Sequence, residues 1–132
     1  MSGALKPVRA RQEVIEAVSV WNIGSTGAHT KTSGVAGEGF DSVARTAAGS
    51  YTITHTRGVP VGPFLGYDVQ IFRTATSAAA LIPKNVLSAY TAETAAAAAT
   101  GKYETWDAAT PTKTELSSGD KVVITARWLK TS

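Results

Sequence analysis

Apolar and polar residues alternate most clearly near the end of the chain, from Lys121 to Leu129. In an extended strand, the residues that fall on one side of this stretch are Val122, Ile124, Ala126 and Trp128, and those on the other side are Lys121, Val123, Thr125, Arg127 and Leu129. The pattern predicts a core strand that begins after a turn at residues 117–120. Residues 102–107 alternate in the same way, and we expect these two strands to pair with each other in antiparallel orientation.

The same alternation appears in three further segments, residues 13–21, 51–56 and 66–73, and residues 40–45 also indicate a short strand. A helix is conceivable for residues 12–18, but the β-branched content of this segment favours a strand. In residues 51–56 the aromatic and aliphatic side chains face one way and three threonines face the other, which is typical of a strand with one solvated face. We therefore predict an all-β fold, an antiparallel β-sandwich of about eight strands. Its predicted core residues are Tyr51, Ile53, Val69, Ile71, Val122, Ile124 and Trp128.

Two segments lack a clear period. Residues 22–39 are rich in glycine and hydroxyl side chains, which predicts one long loop and a first candidate for a contact surface. Residues 74–100 are rich in alanine, so both helix and strand are possible there. We expect a strand at residues 85–90 and a connection of small residues, or a short helix, at residues 91–100.

Length and composition indicate a single domain. The 132 residues include no cysteine, so disulfides, thiolate catalysis and cysteine-based zinc sites are excluded. We expect residues 13–132 to form the domain and residues 1–12 to form an extended, flexible basic arm. This arm has little apolar content, and its cations, Lys6, Arg9 and Arg11, suit docking on an acidic protein surface.

No segment has the length and hydrophobicity of a membrane span or a cleaved signal peptide, so we expect neither membrane insertion nor secretion by such a signal. The net charge of +3 is spread thinly along the chain. Dispersed cations of this kind do not predict specific nucleic-acid binding.

Candidate chemistry is sparse. The two histidines, His29 and His55, have no partner at the spacing of a metal site or a catalytic triad, and we interpret them as a loop histidine and a hydrogen-bonded strand histidine. The glycines of residues 34–39 do not follow the order of a phosphate-binding loop. The sequence therefore predicts no catalytic residue, no metal and no cofactor, and we expect the protein not to be an enzyme.

The tryptophans raise the possibility of glycan binding. Trp128 shares the core side of its strand, and Trp21 ends an apolar strand. Trp106 stands at the edge of a loop, so it is the candidate for a surface contact or an aromatic platform for a sugar.

Three stretches, FDSVARTAAGSYTITHT, GYDVQIFRT and KYETWDAATPTKTELSSGDKVVITARW, resemble the small jelly-roll proteins encoded in structural gene clusters of tailed bacteriophages. The resemblance spans about residues 40–129. It implies a jelly-roll β-sandwich that assembles, often as a trimer, into head decoration proteins or into tail and fibre structures. It brings no catalytic residues.

The resemblance therefore implies a virion structural protein, made in the cytoplasm of a bacterial host. We expect a homotrimer that decorates and cements the capsid surface by docking on the major capsid protein. The alternatives are a tail, neck or fibre component, or a glycan-binding β-sandwich module.

Overall fold

The computed structural model describes residues 13–32, 38–58, 63–73, 84–107 and 112–130. Within these ranges the chain forms eight strands and one short 3-10 turn at Ser25–Gly27. The strands are β1 (Val14–Ile23), β2 (His29–Lys31), β3 (Phe40–Ala47), β4 (Ser50–His55), β5 (Phe64–Phe72), β6 (Lys84–Thr91), β7 (Thr100–Trp106) and β8 (Lys121–Leu129).

The eight strands form two antiparallel sheets of four. The first sheet has the order β2-β1-β8-β5, and the second has the order β3-β4-β7-β6. β1 and β8 pair along almost their whole length, from Val14 opposite Leu129 to Asn22 opposite Lys121. The first and last strands therefore lie at the centre of one sheet, and the predicted β-sandwich is confirmed.

The core lies between the inner faces of the two sheets. Trp128 and Ile124 from β8 and Tyr51 and Ile53 from β4 are fully buried there, as is Val122, so five of the predicted core residues are confirmed. The other two, Val69 and Ile71, lie on β5 at the edge of the first sheet, where they are partly buried against the core.

The predicted pairing of β7 with β8 is wrong, because these strands belong to different sheets. The connection between them crosses from one sheet to the other. At its start, the amide of Thr114 donates to the carbonyl of Thr105 on β7, and at its end the amide of Gly119 donates to the carbonyl of Ile23 on β1. Similar alternation in two strands shows that each has a buried face, but it does not show which strands are neighbours.

The prediction of one long loop over residues 22–39 is wrong in its first half. β1 continues to Ile23, the 3-10 turn follows, and β2 then pairs with the end of β1, with His29 opposite Ile23 and Lys31 opposite Trp21. β2 is short and polar, and its backbone pairing with β1 holds it in place. The sequence of β2 has no apolar alternation from which a strand could have been predicted. Residues 33–37 lie outside the described part of the chain.

The alanine-rich segment follows the prediction where the structure describes it. β6 covers residues 84–91, and residues 92–99 form an irregular connection without a helix. The guanidinium of Arg57 holds this connection by donating to the carbonyls of Thr94 and Ala95 at 2.7 and 3.0 Å. The basic arm of residues 1–12, with Lys6, Arg9 and Arg11, lies outside the described residues.

Candidate functional site

The outer face of the first sheet exposes a set of large apolar side chains. Alternation turns the even residues of β8 and the odd residues Ser19, Trp21 and Ile23 of β1 into the core, so their neighbours point outward. Val14, Val18 and Phe72 are 51%, 40% and 52% exposed. We call this surface the apolar outer face, and its members are Val14, Val18, Val20, Phe72, Val123 and Leu129.

The charges on the apolar outer face balance. Two carboxylates, Glu16 and Asp68, and two cations, Lys121 and Arg127, point outward from β1, β5 and β8. Arg127 lies directly opposite Glu16, and its Nε is 2.6 Å from a carboxylate oxygen. The face therefore combines apolar side chains with no net charge.

The outer face of the second sheet has a different chemistry. The register places Ser42, Thr54, Thr100 and Thr91 directly opposite one another across all four strands. The next row is Ala44, Thr52, Lys102 and Ala89. A shallow groove lies between these rows, lined by Thr52, Ala89, Thr91, Thr100 and Lys102. Small and hydroxyl side chains dominate these two rows, and the large apolar side chains that the structure describes as exposed lie on the first sheet.

Ion pairs fix the ends of the sandwich. At the end of β5, the guanidinium of Arg73 binds both carboxylate oxygens of Asp120, at 2.9 and 2.8 Å, and both side chains are buried. A carboxylate oxygen of Asp120 also accepts from the amide of Ser117 at 2.9 Å. The buried carboxylate thereby ties the turn before β8 to the end of β5.

A second polar cluster is centred on Glu115. One of its oxygens accepts from the Tyr51 hydroxyl at 2.6 Å and from the Gly49 amide at 3.3 Å, and the other accepts from Arg45. Burial raises the pKa of Glu115, but the hydrogen bonds from Tyr51, Arg45 and Gly49 together outweigh it and hold this pKa below its usual value. Every oxygen of this carboxylate already has a partner, so the cluster stabilises the fold and offers no free acid or base.

Glu104 is buried in a comparable way. It lies under Lys113, whose ammonium is 2.9 Å from its carboxylate, and it also accepts from the Ser50 hydroxyl at 3.3 Å. The hydrogen bond from Lys113 lowers the pKa of Glu104 even though burial opposes it. This acid is a structural ion-pair partner as well.

The two histidines lie in the interior and use both ring nitrogens. His29 Nδ1 is 2.8 Å from the carbonyl of Gly27, and its Nε2 is 2.5 Å from the Tyr103 hydroxyl. His55 Nδ1 is 2.8 Å from the carbonyl of Gly39, and its Nε2 is 2.6 Å from the Tyr67 hydroxyl. The interpretation of His55 as a hydrogen-bonded strand histidine is confirmed. That of His29 as a loop histidine is wrong, because β2 carries it.

The candidate platform Trp106 ends β7 and is partly covered. Its indole N–H is buried and has no hydrogen-bond partner in the described structure. A sugar-stacking tryptophan presents an open ring face. The partial cover of Trp106 does not favour that role.

Among the residues that the structure describes, no three histidine, aspartate or glutamate side chains are grouped so that they could hold a metal ion. The same ranges contain no helix that is long and apolar enough to cross a membrane. Comparisons of the chain with protein-family models, with curated proteins and with solved structures gave no match.

The apolar outer face was missed as a site, although the sequence contains a signal for it. β1 carries Val18 and Val20 on the side opposite to Trp21, and β8 carries Val123 on the side opposite to Val122. In an antiparallel sandwich, a strand usually has one side in the core and one side in water. A strand with apolar residues on both sides therefore exposes an apolar surface to solvent. The hydrogen bonds between the histidines and the tyrosines could not be predicted from the sequence, because they depend on how the two sheets stack.

Proposed function

We propose that this protein is a non-enzymatic structural subunit that associates with further copies of itself through the apolar outer face. The observation that carries this proposal is the contrast between the two outer faces: one exposes Val14, Val18 and Phe72, whereas the side chains described on the other are mainly threonine, serine and alanine. Val18, Val20 and Val123 are neighbours in the register at the centre of this face, and apolar clusters of this kind mark association surfaces. Burial of each such side chain contributes up to about 1.5–3 kcal/mol.

The charges on this face are compatible with a second copy of the chain as the partner. Two carboxylates and two cations leave the face neutral, so two copies can approach without net repulsion. A nucleic-acid partner would require a predominantly basic surface instead. Most soluble oligomers are built from identical subunits in closed, symmetric arrangements.

Within this function, we place the protein in the virion of a tailed bacteriophage, as a homotrimer that decorates and cements the capsid. The sequence resemblance supports this assignment. It also implies a jelly roll as the specific form of the β-sandwich. The basic arm, with Lys6, Arg9 and Arg11, is the proposed contact with the major capsid protein. Many weak contacts of a symmetric subunit would together hold it on the shell.

Sedimentation velocity over a range of concentrations tests self-association. The wild-type chain should sediment as a multiple of the 13.7 kDa subunit, with three copies expected. Val18→Lys places a charge on the apolar outer face and should yield monomers. The matched control, Thr52→Lys, places the same charge on the outer face of the second sheet and should leave the oligomer intact. A monomeric wild type, or equal effects of the two substitutions, would contradict the proposal.

The location is tested separately by the copy number in purified phage particles, measured by quantitative mass spectrometry. Hundreds of copies for each particle would support capsid decoration. A count of about a dozen or fewer would assign the protein to the tail or neck, where point symmetry of low order limits the number of subunits.

A further inference from the structure

Each of the two histidines links the two sheets. His29 belongs to β2 of the first sheet and contacts Tyr103 on β7 of the second. His55 belongs to β4 of the second sheet and contacts Tyr67 on β5 of the first. β2 and β5 are the two edges of the first sheet, so these two histidine–tyrosine pairs connect the sheets on both sides of the sandwich.

The hydrogen bonds define which nitrogen carries the proton in the neutral form of each ring. A backbone carbonyl can only accept, so Nδ1 of each imidazole carries the proton that it donates to Gly27 or Gly39. Nε2 is then the acceptor, and the tyrosine hydroxyl donates to it. If Nε2 gains a proton, the hydroxyl must turn to accept it, and its own hydrogen loses its acceptor inside the core. An unpaired buried polar group of this kind is unfavourable.

The described residues packed against His55 supply no compensating charge. The rings packed against it are Phe40 on β3, Tyr67 on β5, Tyr90 on β6 and Trp128 on β8. None of these side chains is a carboxylate, so they place no negative charge against the ring. Burial lowers the pKa of His55, although its hydrogen bond to Gly39 opposes the shift.

His29 is surrounded by Trp21 on β1, Tyr51 on β4 and Tyr103 on β7. One carboxylate, Glu115, is close enough to favour the charged ring, but it is already bound by Arg45 and Tyr51. Burial lowers the pKa of His29 to about 4, and the contributions of Gly27 and Glu115 do not compensate.

We propose that the two histidine–tyrosine pairs make the attachment of the sheets to each other pH-sensitive, so that mild acid weakens the sandwich on both sides at once. This inference depends on the fold alone. It holds whether or not the protein assembles into virions.

The direction and range of the effect follow from linkage. The pKa of each histidine is lower in the folded chain than the unfolded value of 6.5. Below pH 6.5 the unfolded chain therefore binds more protons than the folded chain. The stabilisation is complete above pH 6.5 and falls as the pH decreases toward the folded-state values, about 4 for His29. Two such groups raise the unfolding equilibrium constant by up to about a hundredfold for each pH unit. The carboxylates with lowered pKa, Glu104 and Glu115, contribute only below their usual value of 4.5.

Long-range ¹H–¹⁵N correlation NMR of the full chain tests the protonation states without any substitution. Both imidazoles should carry their proton on Nδ1 at neutral pH, and both should titrate below the ordinary value of 6.5 in the folded state. A proton on Nε2 of either ring, or a folded-state midpoint near 6.5 for either, would overturn the inference.

Denaturant unfolding at pH 7 and pH 5 tests the consequence. His55→Gln removes the titrating imidazole of one pair, so the pH dependence of the unfolding equilibrium constant should weaken by up to about tenfold per pH unit. The matched control is Tyr90→Phe, because the Tyr90 ring also contacts His55 while its hydroxyl accepts from Trp128 Nε1 at 3.1 Å. The control should lose the same stability at both pH values. Equal pH dependence in the two variants would contradict the inference, and if neither variant folds, the NMR titration of the wild type decides.

Discussion

At the scale of single residues, Gly101 shows how closely the two sheets approach. A Cβ atom built on this residue would lie 2.0 Å from the Tyr67 hydroxyl oxygen and 2.4 Å from the ring carbon that bears it. Any side chain at position 101 must therefore displace the tyrosine that donates to His55. The glycine in β7 provides the space for a link between the sheets, even though glycine in a strand interior weakens the strand.

We therefore expect Gly101→Ala to destabilise the protein by about 1–3 kcal/mol, the usual range for a side chain forced into a filled core. Equilibrium denaturation followed by tryptophan fluorescence measures the loss. Gly24→Ala is the control, because φ is −97° there and the nearest atoms to a new Cβ are 3.9 Å away. Equal stability of the two variants would show that Tyr67 moves aside at little cost.

At the scale of the elements, two of the arginine–carboxylate pairs lie in opposite environments. Arg73 and Asp120 join the end of β5 to the turn before β8, and their side chains are only 6% and 2% exposed. Arg127 and Glu16 join β8 to β1 on the outer face, with side chains 40% and 49% exposed. The buried pair has lost most of its hydration, so removing the Asp120 carboxylate takes away the charge that offsets the desolvation of Arg73.

Asp120→Ala should accordingly destabilise the fold by about 3–5 kcal/mol, whereas Glu16→Ala should cost at most about 1 kcal/mol. Thermal and denaturant unfolding of both variants measure the difference. Replacing both members, as in Arg73→Met with Asp120→Leu, should restore part of the lost stability because the desolvated cation is removed together with its carboxylate. If Asp120→Ala proves as mild as Glu16→Ala, then water reaches Arg73 in the variant.

The strands themselves were largely predictable, because alternation in β4, β5 and β8 directly reflects one buried face. What alternation could not provide was the partner of each strand. β7 and β8 have similar patterns and lie close in sequence, yet they belong to different sheets, because residues 112–120 cross between the sheets. β2 escaped prediction for a different reason, since a three-residue polar strand has no period to detect. In the sequence, the only sign of the candidate site was the valines on the sides of β1 and β8 that face away from the core. These valines indicate an exposed apolar face only once both strands are known to lie at the centre of their sheet.

At the scale of the whole molecule, the two ends of the described fold meet. The amide of Lys130 donates to the carbonyl of Glu13 at 2.9 Å, and β1 pairs with β8 although residues 24–120 separate the two strands in sequence. The centre of the first sheet therefore cannot form until the last strand is available. Pairings of such long sequence separation require the closure of a large loop, which makes folding slow.

A circular permutant tests whether this closure limits folding. Joining residue 130 to residue 13 by a short linker, with new ends placed between β5 and β6, makes the β1–β8 pairing local while the other pairings keep similar separations. Folding should accelerate by up to about tenfold, because the entropy of closing the large loop is no longer lost at the transition state, and the unfolding rate should change little. Stopped-flow fluorescence is a suitable probe, since Trp21 and Trp128 lie on the two paired strands and are both buried. An unchanged folding rate in a permutant of native stability would mean that β1 and β8 pair only after the rate-limiting step, and the second sheet, which lacks both strands, would then be the part of the molecule that folds first.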